Sequence, residues 1–240
     1  MNALLMPLIA AQGLWVRART EVLPEAGGPT TGTVGEGAPG TPLRIAVLGE
    51  STAAGCGVDS HDEGFPGSLA RALSERHGAP VTWEVVGQHG ATGRRVRHRL
   101  LPRLGRDYDL AVLLAGSNDV LGRRAPEEWG EDLAAILDEL ADRSASVVVV
   151  GIPPFADFPS LPSALARYCA ERAAAADRVS RTVCAERPRT TFMGSTDIME
   201  ITPEFFARDG FHPSAFGYGR WARAVSDHLS SGGSRPGGTA

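Results

Sequence analysis

Short, nearly continuous apolar runs alternate along the middle of the chain with longer segments in which apolar positions recur every three or four residues. The runs are "RIAVLG" (44–49), "TWEVVG" (82–87), "DLAVLLAG" (109–116), "SVVVVGI" (146–152) and "RTTFMG" (189–194). Strands exposed on one face alternate apolar with polar, whereas strands buried on both faces read as unbroken apolar runs, so this pattern predicts parallel strands. The segments between them are long enough to be crossover helices, predicted at about 64–77, 93–105, 126–142, 160–187 and 214–229. In the second of these, Val96, Leu100 and Leu104 form an apolar stripe, while Arg94, Arg95, Arg97, Arg99 and Arg103 mostly point elsewhere and read as a solvated face. The expected fold is a single doubly wound, flavodoxin-like α/β three-layer sandwich of about five parallel strands flanked by helices, with ligands beyond the carboxyl ends of the strands.

The flanks read differently. Residues 1–42 are expected to be an apolar arm followed by a flexible Gly/Pro/Thr-rich linker over 24–42, and 43–230 the folded domain. The tail 231–240 is expected to be disordered. The arm's apolar stretch through Val16 is interrupted by Pro7, Gln12 and Gly13 and is shorter than the roughly 20 residues a spanning helix needs. It carries no positive region ahead of the apolar stretch, so no signal peptide is expected and the reading is cytoplasmic. The arm is expected to pack on the domain, with peripheral membrane contact as the alternative.

Composition removes some function classes. The 240 residues have a net charge of −4, and all 24 basic residues are arginine. With no global positive field, nucleic acid is not an expected partner. Cys56, Cys169 and Cys184 form no CxxC pair, and the histidines lack metal-ligand spacing, so neither a disulfide framework nor a metal or other cofactor is expected. His61, His77, His98 and His228 read as surface groups, and His89 is set apart by its place beside Gly90.

Candidate chemistry gathers at the predicted strand ends. Gly49-Glu50-Ser51 follows the first strand, Gly90 in "GQHGATG" the second, and Gly116-Ser117-Asn118-Asp119 the third; "RDGFHPS" precedes the last helix with Asp209 three residues ahead of His212. A serine is a weak nucleophile until a histidine takes its proton, and that histidine works best when a carboxylate holds its other ring nitrogen. Ser51, His212 and Asp209 suit those roles, with small neighbours leaving the serine exposed at the sheet edge. The negative oxygen of a tetrahedral intermediate needs donors already in place, for which the Ser51 and Gly90 N–H groups and the Asn118 amide are suited, Gly90 by allowing close backbone approach. Asp119 reads as structural, and Cys56, with no base in sight, as a small buried thiol.

These four segments, spanning about residues 43–229, resemble the blocks of the SGNH (GDSL-type) esterase and lipase superfamily. The resemblance implies Ser51 as nucleophile, Gly90 and Asn118 as completing the oxyanion hole, and Asp209 and His212 as the rest of the triad. One departure is Gly-Glu-Ser-Thr where the family has Gly-Asp-Ser-Leu, which puts the hydrogen bonds of the family's aspartate in question at Glu50. The implied activity is a serine esterase or acylhydrolase acting on small-molecule or lipid esters, short-chain esters first. A lysophospholipase or a carbohydrate deacetylase of the same fold is the alternative, and a non-catalytic lipid- or carbohydrate-binding module the alternative of another class.

Overall fold

A computed structural model describes residues 5–195 and 201–231. Six strands form one sheet: β1 (Thr31–Val34), β2 (Leu43–Gly49), β3 (Val81–Gly87), β4 (Leu110–Leu114), β5 (Val147–Val150) and β6 (Thr190–Met193), in the order β1-β3-β2-β4-β5-β6. The five strands read from the sequence are parallel and follow the flavodoxin-like order. Every residue of β4 and β5 is buried, as expected of strands covered on both faces.

The sixth strand is a correction to the expected linker. Thr31–Val34 pairs antiparallel with β3, Thr31 opposite Glu84 and Val34 opposite Val81. A four-residue edge strand of Thr, Gly and Val buries too little to leave a periodic signature, because its register comes from backbone pairing alone.

Helices α2 (Phe65–His77) and α7 (Ala215–Ser231) cover one face of the sheet, packing around Phe65, Leu69, Leu73, Trp221 and Val225. On the other face lie α5 (Pro126–Ala141) and α6 (Ser163–Ala185), with a core of Trp129, Leu133, Ile136, Leu137, Leu140 and Ala173. The predicted second helix, α3, is irregular: α-helical over Gly93–Arg95, π-helical over Val96–Leu100 and 3-10 over Leu101–Arg103. Its apolar stripe is nevertheless buried at Val96, Leu100 and Leu104, and Arg94, Arg95, Arg99 and Arg103 are exposed. α4 is a short turn of helix, Ser117–Leu121.

The N-terminal arm is a helix, α1 (Met6–Arg19), lying against α6. Its Ile9 is buried, and the Gln12 side-chain oxygen accepts the Leu165 N–H at 2.9 Å. Among the described residues no helix is long and apolar enough to cross a membrane. The expected tail lies outside the described residues, apart from Ser231, the last residue of α7.

Candidate active site

β2 and β4 are neighbours in the sheet but their connections leave in opposite directions, through β3 on one side and β5 on the other. Such a topological switch point opens a crevice beyond the strand ends. Glu50 and Ser51 enter it from β2, and Ser117 and Asn118 from β4. They line one cavity of about 640 Å³ together with His89 and His212. Ser51 is 7% exposed, so it lies sunk in the cavity wall rather than standing free at the sheet edge. Its turn is pinned from two sides: the Tyr218 hydroxyl of α7 donates to the Cys56 carbonyl at 2.8 Å, and Gly57 packs on the loop carrying His212. Gly57 has φ +104°, and a Cβ there would come within 2.2 Å of the Pro213 carbonyl oxygen, so only glycine fits this junction.

The His212 loop is held by its own backbone, with Ala207 N–H donating to the His212 carbonyl at 2.7 Å and Ser214 N–H to the Phe205 carbonyl at 2.8 Å. Within it, Asp209 Oδ2 lies 2.6 Å from His212 Nδ1, while Oδ1 accepts the backbone N–H groups of Phe211 at 2.9 Å and His212 at 3.0 Å. Burial pushes the Asp209 carboxyl up, but the His212 ring and the two backbone donors outweigh it and hold it below its ordinary value. An ionised Asp209 favours a proton on the Nδ1 it faces, which fixes the orientation of the ring. No hydrogen bond joins the Ser51 hydroxyl to His212 among the described residues.

Of the expected oxyanion donors, Ser51 and Gly90 have backbone N–H groups that donate to no other group among the described residues. Gly90 does not line the cavity as its neighbour His89 does, and a Cβ on it would meet nothing within 4 Å. Its φ of +73° is a further reason for glycine at this position. The Asn118 side-chain amide is engaged, donating to Glu50 Oε2 at 2.7 Å and to the Ala91 carbonyl at 3.1 Å.

Glu50 is the residue whose part the sequence did not disclose. Its carboxyl group also accepts the backbone N–H groups of Ser117 and Asn118, both at 3.2 Å, so the longer acid does reach the neighbouring loop. It is buried, and burial raises its pKa to about 7 against the downward pull of those donors. Asp119 is structural, as read: Oδ2 accepts the Gly93 N–H at 2.7 Å and Oδ1 pairs with Arg124 at 2.5 Å. The Cys56 thiol is buried and pushed up to about 12, first by burial and then by the nearby Glu25 and Asp209 charges, which suits a packing role and not a nucleophile. His61 is corrected from a surface group to a buried one, and its pKa is lowered by burial. Phe205, Phe211 and Trp221 line the cavity, as does α1, which the sequence did not connect with the site.

This arrangement of a β2 serine, a buried Asp-His pair and unspent backbone donors at a switch point has a family. The GDSL-like lipase/acylhydrolase family matches residues 47–220, and the chain belongs to it. Its particular relatives include a GDSL-like esterase of Mycobacterium tuberculosis, 29% identical over an alignment of 189 residues that covers 73% of this chain. The chain spans 58% of that relative's length. The crystal structure of TesA superimposes with a TM-score of 0.63 at 24% identity, covering 78% of this chain and 98% of TesA. AlinE4, an SGNH-hydrolase family esterase, gives 0.55 at 24% identity, covering 82% and 99%.

Proposed function

We propose that the protein hydrolyses carboxylic esters through an acyl-enzyme on Ser51. His212 Nε2 takes the hydroxyl proton as Ser51 Oγ attacks the ester carbonyl, then returns it to the departing alcohol oxygen. Water, deprotonated by the same nitrogen, attacks the acyl carbonyl, and collapse of the second tetrahedral intermediate frees the acid and restores the serine. Asp209 orients the imidazole and stabilises its positive charge. The Ser51 and Gly90 N–H groups receive the oxyanion. Asn118 adds a third donor when its amide exchanges one of its two present acceptors for that oxygen. The route uses side chains and water, with no cofactor.

The observation that carries this reading is the 2.6 Å Asp209–His212 pair, on a loop closed by its own backbone hydrogen bonds, with His212 lining the same cavity as Ser51. A binding module would not need an ionised, buried carboxylate spent on fixing one imidazole. Hydrolysis of p-nitrophenyl acetate by the wild type and by Ser51→Ala tests it: the variant should lose at least about 10³-fold in kcat while melting like the wild type. Equal rates in the two proteins would refute the mechanism.

A further inference from the structure

The stretch between α1 and β1 lies outside the segment that matches the family, yet it is joined to three of the loops that carry the candidate site. Glu21 takes a two-pronged ion pair from Arg208, the residue before Asp209, at 2.9 and 3.0 Å. The Ala26 and Gly27 N–H groups donate to the carbonyls of Ala54 and Asp59, in the loop that begins at Ser51, both at 2.9 Å. Between these ties, Glu25 Oε1 accepts the backbone N–H of His89 at 2.7 Å. Leu23 is buried, which anchors the stretch on the domain.

His89 belongs to a turn that the Ala91 N–H closes on the Gln88 carbonyl at 3.2 Å, with Gly90 at its third position and φ +73°. Type I and type II turns differ mainly in the direction of the central peptide, which here carries the Gly90 N–H, and a positive φ at the third position alone marks type II. The N–H of Gln88 is spent on the Gly49 carbonyl, that of His89 on Glu25 and that of Ala91 on the turn itself, so the Gly90 N–H is the one donor the turn has left. The His89 ring also meets the His212 ring edge-on, 5.8 Å between centroids. We infer that Glu25 is a positioning residue: by holding the His89 N–H it fixes the turn that presents the Gly90 N–H to the oxyanion. This deepens the esterase reading above and rests on it. Glu25 is exposed, and a surface hydrogen bond adds little to global stability. Its effect is on geometry, since a displaced donor no longer meets the oxyanion where it forms.

Hydrolysis of p-nitrophenyl acetate and thermal melting are measured for the full-length wild type, Glu25→Ala, Glu25→Asp, Glu25→Gln and Ser51→Ala. Glutamine keeps the reach and the acceptor oxygen without the charge, whereas aspartate keeps the charge and falls one methylene short. Glu25→Ala should lose about tenfold or more in kcat, with KM within about twofold of the wild type and a melting temperature within about 3 °C of it. Glu25→Gln should return kcat to within about threefold of the wild type. Glu25→Asp should fall between alanine and glutamine, which also reads the loss if alanine prevents folding. Wild-type kcat in a folded Glu25→Ala, or a loss that glutamine does not restore, overturns the positioning role while leaving the esterase reading intact. Hydrolysis surviving in Ser51→Ala would instead remove that reading, and the positioning role with it.

Discussion

Glu50 stands where the family motif has aspartate, and its added methylene brings a carboxyl group under the Ser117–Asn118 turn. That contact was not legible in the sequence, since its partners lie 67 and 68 positions away and a one-methylene change carries no spatial information. The Asp209–His212 pair, by contrast, was legible because three residues of one tight loop suffice to build it. Glu50 also gives the residue scale its prediction. Its pKa is about 7 in the fold against 4.5 as the ordinary value, so the native state binds the proton more tightly than the unfolded chain. The stabilisation is fully present below about pH 4.5 and is lost as pH rises through 7, with a loss on the order of 3 kcal/mol. Glu50→Gln should therefore flatten the pH dependence of stability across this window. Urea unfolding at pH 5 and pH 8 checks it, and the same pH difference in both proteins would contradict the assignment.

At the scale of elements, the turn presenting Asn118 is braced by charge. Asp119 joins the Gly93 N–H to Arg124, and Arg124 reaches on to Asp132 in α5 at 2.9 Å, so α3, α4 and α5 share one network. Both aspartates are buried, and removing Asp119 leaves the buried Gly93 N–H without its acceptor and Arg124 held by Asp132 alone. Asp119→Ala should cost about 3 kcal/mol in chemical denaturation and lower activity through a displaced Asn118, more in kcat than in KM. Unaltered stability would show that the network is solvated. Elements with strong periodicity were legible: the predicted 126–142 and 214–229 appear as Pro126–Ala141 and Ala215–Ser231. β1 and α1 were not recognised as elements, for opposite reasons. β1 depends on pairing with β3 rather than on its side chains, while α1 has apolar residues all round, including exposed Leu8, Leu14 and Trp15, so no single face announces what it covers.

For the whole molecule, the order β1-β3-β2-β4-β5-β6 brings a linear series of motifs to one edge of the sheet. Ser51, Gly90 and Asn118 follow three strands adjacent in the sheet, and the last loop, ahead of α7, brings Asp209 and His212 to the same edge. That convergence was legible because parallel strands carry all their carboxyl ends to one side. The depth of the cavity was not, because its wall comes in part from a helix that ends at Arg19, well before the first motif at Gly49 and outside the doubly wound core. The central claim is that Ser51 becomes acylated, and fluorophosphonate labelling followed by peptide mapping tests it most directly. Attack by Ser51 Oγ on phosphorus expels fluoride and leaves a stable phosphonyl ester, so the wild type should gain one adduct, mapped to Ser51, and lose esterase activity in step with labelling. Ser51→Ala should remain unmodified. An active protein that takes no label, or one labelled at another residue with matching loss of activity, would contradict the account.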